Sequence, residues 1–102
     1  IIIQSTFPIS FDCFNLCENL ISTKLAGCIQ KSPTISSYYH WDNQLNIDEE
    51  YQLHIKTLSN LFDLVESEIL TIHPYDLPEI IATKIEFTNN EYLDWLKKSV
   101  NV

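Results

Sequence analysis

The stretch Ile72-His73-Pro74-Tyr75-Asp76-Leu77-Pro78-Glu79-Ile80 gathers an imidazole, a phenol and carboxylates into one short segment. Pro74 and Pro78 exclude it from a helix interior or a central strand, because each lacks an N–H and fixes φ. An apolar-periodic run precedes it (Leu61, Leu64, Val65, Ile69, Ile72) and a strand-like run, Ile80 through Phe87, follows. The segment is therefore a rigid helix-to-strand corner holding His73, Tyr75 and Glu79 close together. His73 is the most metal-like of these groups, since neutral imidazole is a common ligand for copper and zinc. Its plainer role is to cap the helix C-terminus, where a donor side chain is favoured.

A second set of polar groups lies upstream. Glu50, Gln52, His54 and Lys56 alternate with Tyr51, Leu53, Ile55 and Thr57, the period-two pattern of a half-buried strand. The polar row reads either as a solvated sheet face or as the lining of a cleft between subunits. Glu50 and Lys56 are separated by about 20 Å along such a strand, so they cannot pair within it. Pairing across subunits, or with Tyr75 and Glu79 of the corner, remains open. Cys13 and Cys17 lie one helical turn apart beside Leu20, Ile21 and Leu25. With no further ligand at metal spacing they read as small core hydrophobes.

The elements that must position these groups follow from pattern and punctuation. Ile1 to Ser5 is a short apolar run suited to a buried first strand. Ser10 is a candidate N-cap for a helix whose stripe is Phe11, Phe14, Cys17, Ile21 and Leu25. That helix is expected to end near Ala26, with Gly27 supplying a positive φ. Residues 28–41 form a long extended segment interrupted at Lys31-Ser32-Pro33, where a bulge or edge position is expected. Asp42-Asn43 makes a tight turn, and residues 45–57 return as the partner strand. Ser59 or Asn60 caps a second helix running to Ile72, and a last short helix presents Tyr92, Trp95 and Leu96. The order is β-α-β-β-α-β plus a C-terminal helix. It predicts an α+β, ferredoxin-like antiparallel sheet with helices on one face, in one domain over residues 1–102.

The same residues resemble the CutA family of divalent-cation tolerance proteins. The likeness includes His73-Pro74-Tyr75 with Pro78-Glu79, Lys24 to Cys28, Pro33, Tyr39 with Trp41, Asp48-Glu49-Glu50, Lys56-Thr57, and Tyr92 with Trp95-Leu96. The resemblance implies a homotrimer with ligand binding at intersubunit clefts, a role in copper tolerance or response to metal ions, and no enzymatic activity. It also implies a cleft made by Trp41, Glu50, Lys56, Tyr75 and Glu79, with Trp41 alternatively serving intersubunit packing. In the copper-binding pattern of bacterial relatives, a first-strand cysteine matches Ser5 here and the first of two histidines matches Ile72. Only His73 remains, so weak binding of copper or another divalent cation is expected, and no obligatory cofactor. Two alternatives differ in class: a trimeric signalling module taking a small anion on Lys56 and His73, or a structural trimer anchoring another protein.

A trimer also answers a physical difficulty. The long hairpin carries Tyr38, Tyr39, Trp41, Leu45 and Ile47 beyond the compact body, more apolar surface than a free arm tolerates. Its open edges offer unpaired backbone groups that neighbouring copies could satisfy.

Composition bounds the partners. Of 102 residues, six are lysine, none arginine and fourteen acidic, giving a net charge of −8. A nucleic-acid or anionic-membrane surface needs clustered cations and is not expected. No apolar run is long enough for membrane insertion. Three cysteines make no disulfide framework, which favours a reducing cytoplasm. The chain opens Ile1-Ile2-Ile3 and lacks methionine, so its natural start, with any targeting segment, is expected upstream.

Overall fold

The computed structural model describes residues 1–101. Strand β1 (Ile2–Pro8) leads to helix α1 (Phe14–Ser22), followed by β2 (Cys28–Lys31), β3 (Ile35–Trp41) and β4 (Gln44–Lys56). A 3₁₀ turn at Ser59–Leu61 feeds helix α2 (Phe62–Ile72), then come β5 (Ile80–Thr83) and helix α3 (Asn90–Ser99). Every strand pairing is antiparallel, in the order β2-β4-β1-β5, with β3 continuing along β4. Taken as one bent strand, β2 and β3 complete the ferredoxin-like plan.

The interruption at Pro33 is a bulge. Lys31 pairs with Leu53 and Ile35 with Glu50, so Ser32, Pro33 and Thr34 oppose only Tyr51 and Gln52. Ser32 replaces the lost ladder contacts: its N–H donates to Gln52 O at 2.8 Å, and its Oγ accepts the Gln52 N–H at 2.8 Å. Beyond the bulge the hairpin closes through Asp42 and Asn43, with φ of 51° and 60°, as a two-residue turn matched to strand twist demands.

The core lies between one sheet face and the first two helices. Ile3 opposes Ile55 and Phe7 opposes Tyr51. These four, with Leu53, pack against Leu16 and Leu20 of α1 and Val65 and Ile69 of α2. The stripe of α1 thus runs through Cys13, Leu16 and Leu20, while Phe14 and Ile21 stay exposed, one step out of phase with the sequence expectation. Cys13 is buried and Cys17 packs partly against the core, both as free thiols.

Four further expectations are corrected. Helix α1 starts at Phe14 without a Ser10 cap; Asp12 Oδ1 instead accepts the Phe14 N–H at 3.0 Å. It ends in a Schellman turn whose left-handed residue is Lys24, φ 61°, with Lys24 N–H to Ile21 O and Leu25 N–H to Leu20 O. Gly27 has no positive φ. It is small because a Cβ there would lie 2.5 Å from Leu96 Cδ1, so it lets α3 dock. Neither Ser59 nor Asn60 caps α2, since the 3₁₀ turn leads into it directly. Strand β5 stops at Thr83 rather than reaching Phe87, because β1 offers partners only from Ile2 to Ser5.

Candidate functional site

The corner after α2 folds back over the end of β1. His73 ends α2, its N–H donating to Ile69 O at 2.9 Å. Its ring turns inward, Nε2 lying 2.9 Å from Thr6 O while Nδ1 receives the Tyr75 N–H at 3.1 Å. A neutral imidazole protonated at Nε2 satisfies both contacts. The ring stacks on Phe7, centroids 4.4 Å apart, and leans on Tyr75 at 5.0 Å. His73 is thus a strut that fixes the corner to β1 and aims Tyr75.

Tyr75 in turn meets Glu50. Its hydroxyl donates to Glu50 Oε2 at 2.5 Å, the short length of a charge-assisted bond. Burial, and then the adjacent Glu50 carboxylate, push the Tyr75 phenol well above its ordinary range. Glu50 is only 7% exposed although it lies on the sheet face away from α1 and α2. Glu79 fixes the other side, its Oε2 accepting from Thr6 Oγ1 at 2.8 Å and Gln4 Nε2 at 3.3 Å. Its backbone carbonyl accepts from Ser5 Oγ at 2.8 Å.

Corner and hairpin together enclose an open cleft of about 760 Å³. Trp41, Glu50, Tyr75 and Glu79 all line it. Tyr39, which the sequence pairs with Trp41, lines it too, as do Tyr38, Asp76 and Thr6, which the sequence does not mark as site residues. Tyr39 donates to Asp48, which holds its phenol above the ordinary value. The signal for Asp76 was its place between the two prolines.

Lys56 is not brought to this cleft within the chain. It sits opposite Ile2 and Cys28 at the far end of β4, its Nζ 5.7 Å from the Tyr92 ring centroid. The rigid strand separating it from Glu50 keeps the two apart. His54 is likewise outside, 3.3 Å from Gln52 Oε1, and His40 stays exposed on the arm.

The residues do not fit a metal centre within one chain. Among the described residues no group of three or more His, Cys, Asp or Glu converges to hold an ion. His73 has both ring nitrogens engaged, Ser5 Oγ is committed to Glu79 O, and Ile72 supplies no donor. Within one chain the His73 Nδ1 lone pair is thus taken by the backbone N–H that shapes the corner.

The half-buried imidazole has a pH consequence. Desolvation lowers the His73 pKa, outweighing the opposite pull of Thr6 O and Glu50. The unfolded chain, titrating near about 6.5, then binds the proton more readily than the folded one. This contribution to stability is complete above the unfolded value and is lost as pH falls through the lowered folded value. Urea unfolding between about pH 7.5 and pH 5 should show wild type losing more stability than His73→Gln, since only imidazole titrates in that window. Equal losses would show that His73 titrates alike in both states.

A family model described as CutA1 divalent ion tolerance protein matches residues 1–99. The chain is 38% identical, over 97% of its length and 56% of the relative's, to Protein CutA 1, chloroplastic, of Oryza sativa subsp. japonica. It is 34% identical, over 82% of both chains, to the divalent-cation tolerance protein CutA of Thermus thermophilus. It spans about half the length of the plant and vertebrate relatives it matches. Among solved structures, CutA1 from Oryza sativa is similar with a TM-score of 0.92 at 38% identity, covering 99% of this chain and 93% of that one. The Cut A1 structure from Thermus thermophilus gives 0.91 at 31% identity, covering 98% and 97%. By matched length, identity and shared fold, this chain belongs to the CutA1 family of divalent ion tolerance proteins.

Proposed function

We propose that the chain acts in divalent-cation tolerance as a homotrimer that binds ligands, rather than catalysing a reaction, in clefts where subunits meet. The hairpin carries this reading. Tyr38 is 68% exposed, Trp41 51%, Leu45 70% and Ile47 56%. Residues 44–49 of β4 pair only with β3, and β3 pairs only with β4, so both edges of the arm are open. The arm stretches the molecule to 45 × 27 × 22 Å with a radius of gyration of 14.5 Å, against about 13 Å for a compact chain of this length. Apolar faces and open edges on a projecting ribbon favour closure against copies of the same chain. Free Cys13, Cys17 and Cys28 suit a reducing compartment, the cytoplasm in this reading.

Within one chain the small-anion alternative lacks its contacts, because Lys56 lies outside the cleft and His73 faces the backbone as a neutral strut. Metal response, in this reading, does not run through a tight copper centre. Copper should bind the folded protein weakly, since serine and isoleucine offer no soft donor. Sedimentation equilibrium at micromolar concentration should give the trimer mass, and a folded monomer there would sink the assembly reading. Calorimetric titration with copper should give weak heats in wild type and in His73→Ala alike. Tight binding lost in His73→Ala would restore that residue as a ligand.

A further inference from the structure

We propose that Cys13 and Cys17 form a two-thiol site at the start of α1 that binds trivalent organic arsenic, one arsenic atom joined to both sulfurs. One chain holds this site whole. Neither residue lines the cleft, and both pack against the core between helices and sheet, so the site is independent of the trimer reading.

The spacing brings the two sulfurs together. The Cys17 N–H donates to Cys13 O at 2.9 Å, the first hydrogen bond of α1, so the side chains stack one turn apart. Residues four apart on a helix hold their Cβ atoms about 5–6 Å from each other, and each sulfur is a single bond beyond its Cβ. One atom bonded to both sulfurs spans that gap. Both thiols are free. Cys28 lies apart from them on β2, opposite Lys56.

The chemistry of the pair selects the ligand. Burial, and then the neighbouring Cys13, push the Cys17 pKa up to about 12, outweighing the Lys31 ammonium. A bare cation must find its sulfur ligands deprotonated, and among the described residues no third ligand joins the pair. An organoarsenic oxide needs neither thiolate nor third ligand. Its oxygen takes both thiol protons and leaves as water, two S–H bonds give way to two As–S bonds, and arsenic stays trivalent. The organic group left on arsenic then needs apolar cover. Phe14 and Ile21 flank Cys17 at three and four residues and are both exposed, on the face that such spacing shares. Cys13 is buried and Cys17 only half-buried, so the organic group points outward along these two side chains.

The test is titration of the full chain with phenylarsine oxide in buffer free of small thiols, with free thiols counted and the native mass measured. Wild type should gain one phenylarsenic group with loss of one water, and its three free thiols should fall to one. Its melting temperature should rise, because the ligand favours the folded pair. Cys28→Ala should also lose two thiols and gain the same mass. Cys13→Ala and Cys17→Ala should each weaken uptake at least about a hundredfold, the loss expected when a tethered second contact is removed. Cys17 is the more exposed of the two, so Cys17→Ala decides alone should Cys13→Ala fail to fold. Arsenite, with no organic group for Phe14 and Ile21 to cover, should bind more weakly than the phenyl compound. No uptake, a melting temperature that falls, two thiols still consumed in Cys17→Ala, or arsenite bound as tightly as the phenyl compound would each overturn the proposal.

Discussion

Replacing Ile47 by Asp is expected to dissociate the proposed trimer into folded monomers. Ile47 is 56% exposed in the single chain and opposes Tyr38, itself 68% exposed, across the arm. It therefore adds little to the monomer core, and a polar group in its place leaves the chain fold intact. In the proposed trimer the same side chain would be buried, worth about 1.5–3 kcal/mol of apolar transfer. A carboxylate there must also shed water without a cation to meet it. The symmetry of a closed ring repeats the loss at every interface, so one substitution acts on all contacts at once. Sedimentation equilibrium of Ile47→Asp should give the monomer mass, with far-ultraviolet circular dichroism unchanged. Because assembly stabilises by mass action, its melting temperature should fall and lose its dependence on protein concentration. A variant that remains a trimer would place the interface away from the arm.

The plan of the fold was legible because several local signals agreed: the alternation along β4, the Asp42-Asn43 turn, the proline-bounded corner. The site was legible wherever one rigid element held the groups, as at Tyr75 and Glu79. What escaped depended on distant neighbours. Helix α1 carries apolar residues nearly all round (Phe14, Leu16, Cys17, Leu20, Ile21), so more than one stripe fits its sequence. Only packing against Val65 and Ile69 selects Leu16 and Leu20. Gly27 looked like a turn glycine, but its constraint is Leu96 on α3, far along the chain. Lys24 takes the positive φ because the Schellman bonds and the packing of Leu25 offset the strain. His73 resembled a ligand because imidazole beside a helix end suits both roles. Its partners, Thr6 O and the Tyr75 N–H, are backbone groups that no residue pattern announces.

Phe7→Ala is expected to cause the largest loss of stability of any single change at the site's base. Phe7 is fully buried and stacks on Phe11 at 4.9 Å, Tyr51 at 5.7 Å and His73 at 4.4 Å. Truncation removes the ring and leaves a cavity, costing about 3–5 kcal/mol, a large share of the roughly 5–15 kcal/mol that holds a domain together. Phe7→Leu keeps apolar bulk without the aromatic face and should cost roughly 1–2 kcal/mol. Urea unfolding at fixed protein concentration measures both. The milder variant also probes the route from core to cleft. Phe7 supports the His73 ring, His73 holds the Tyr75 N–H, and Tyr75 holds Glu50. Loosening the first contact should let Tyr75 drift from Glu50 and gain water. Its phenol pKa, raised chiefly by burial, should then fall toward the ordinary value. The Tyr75 resonance followed through an alkaline titration reports this directly. A Phe7→Leu protein that loses stability while Tyr75 titrates as in wild type would show that the corner is held by its prolines and by Glu79 rather than through His73.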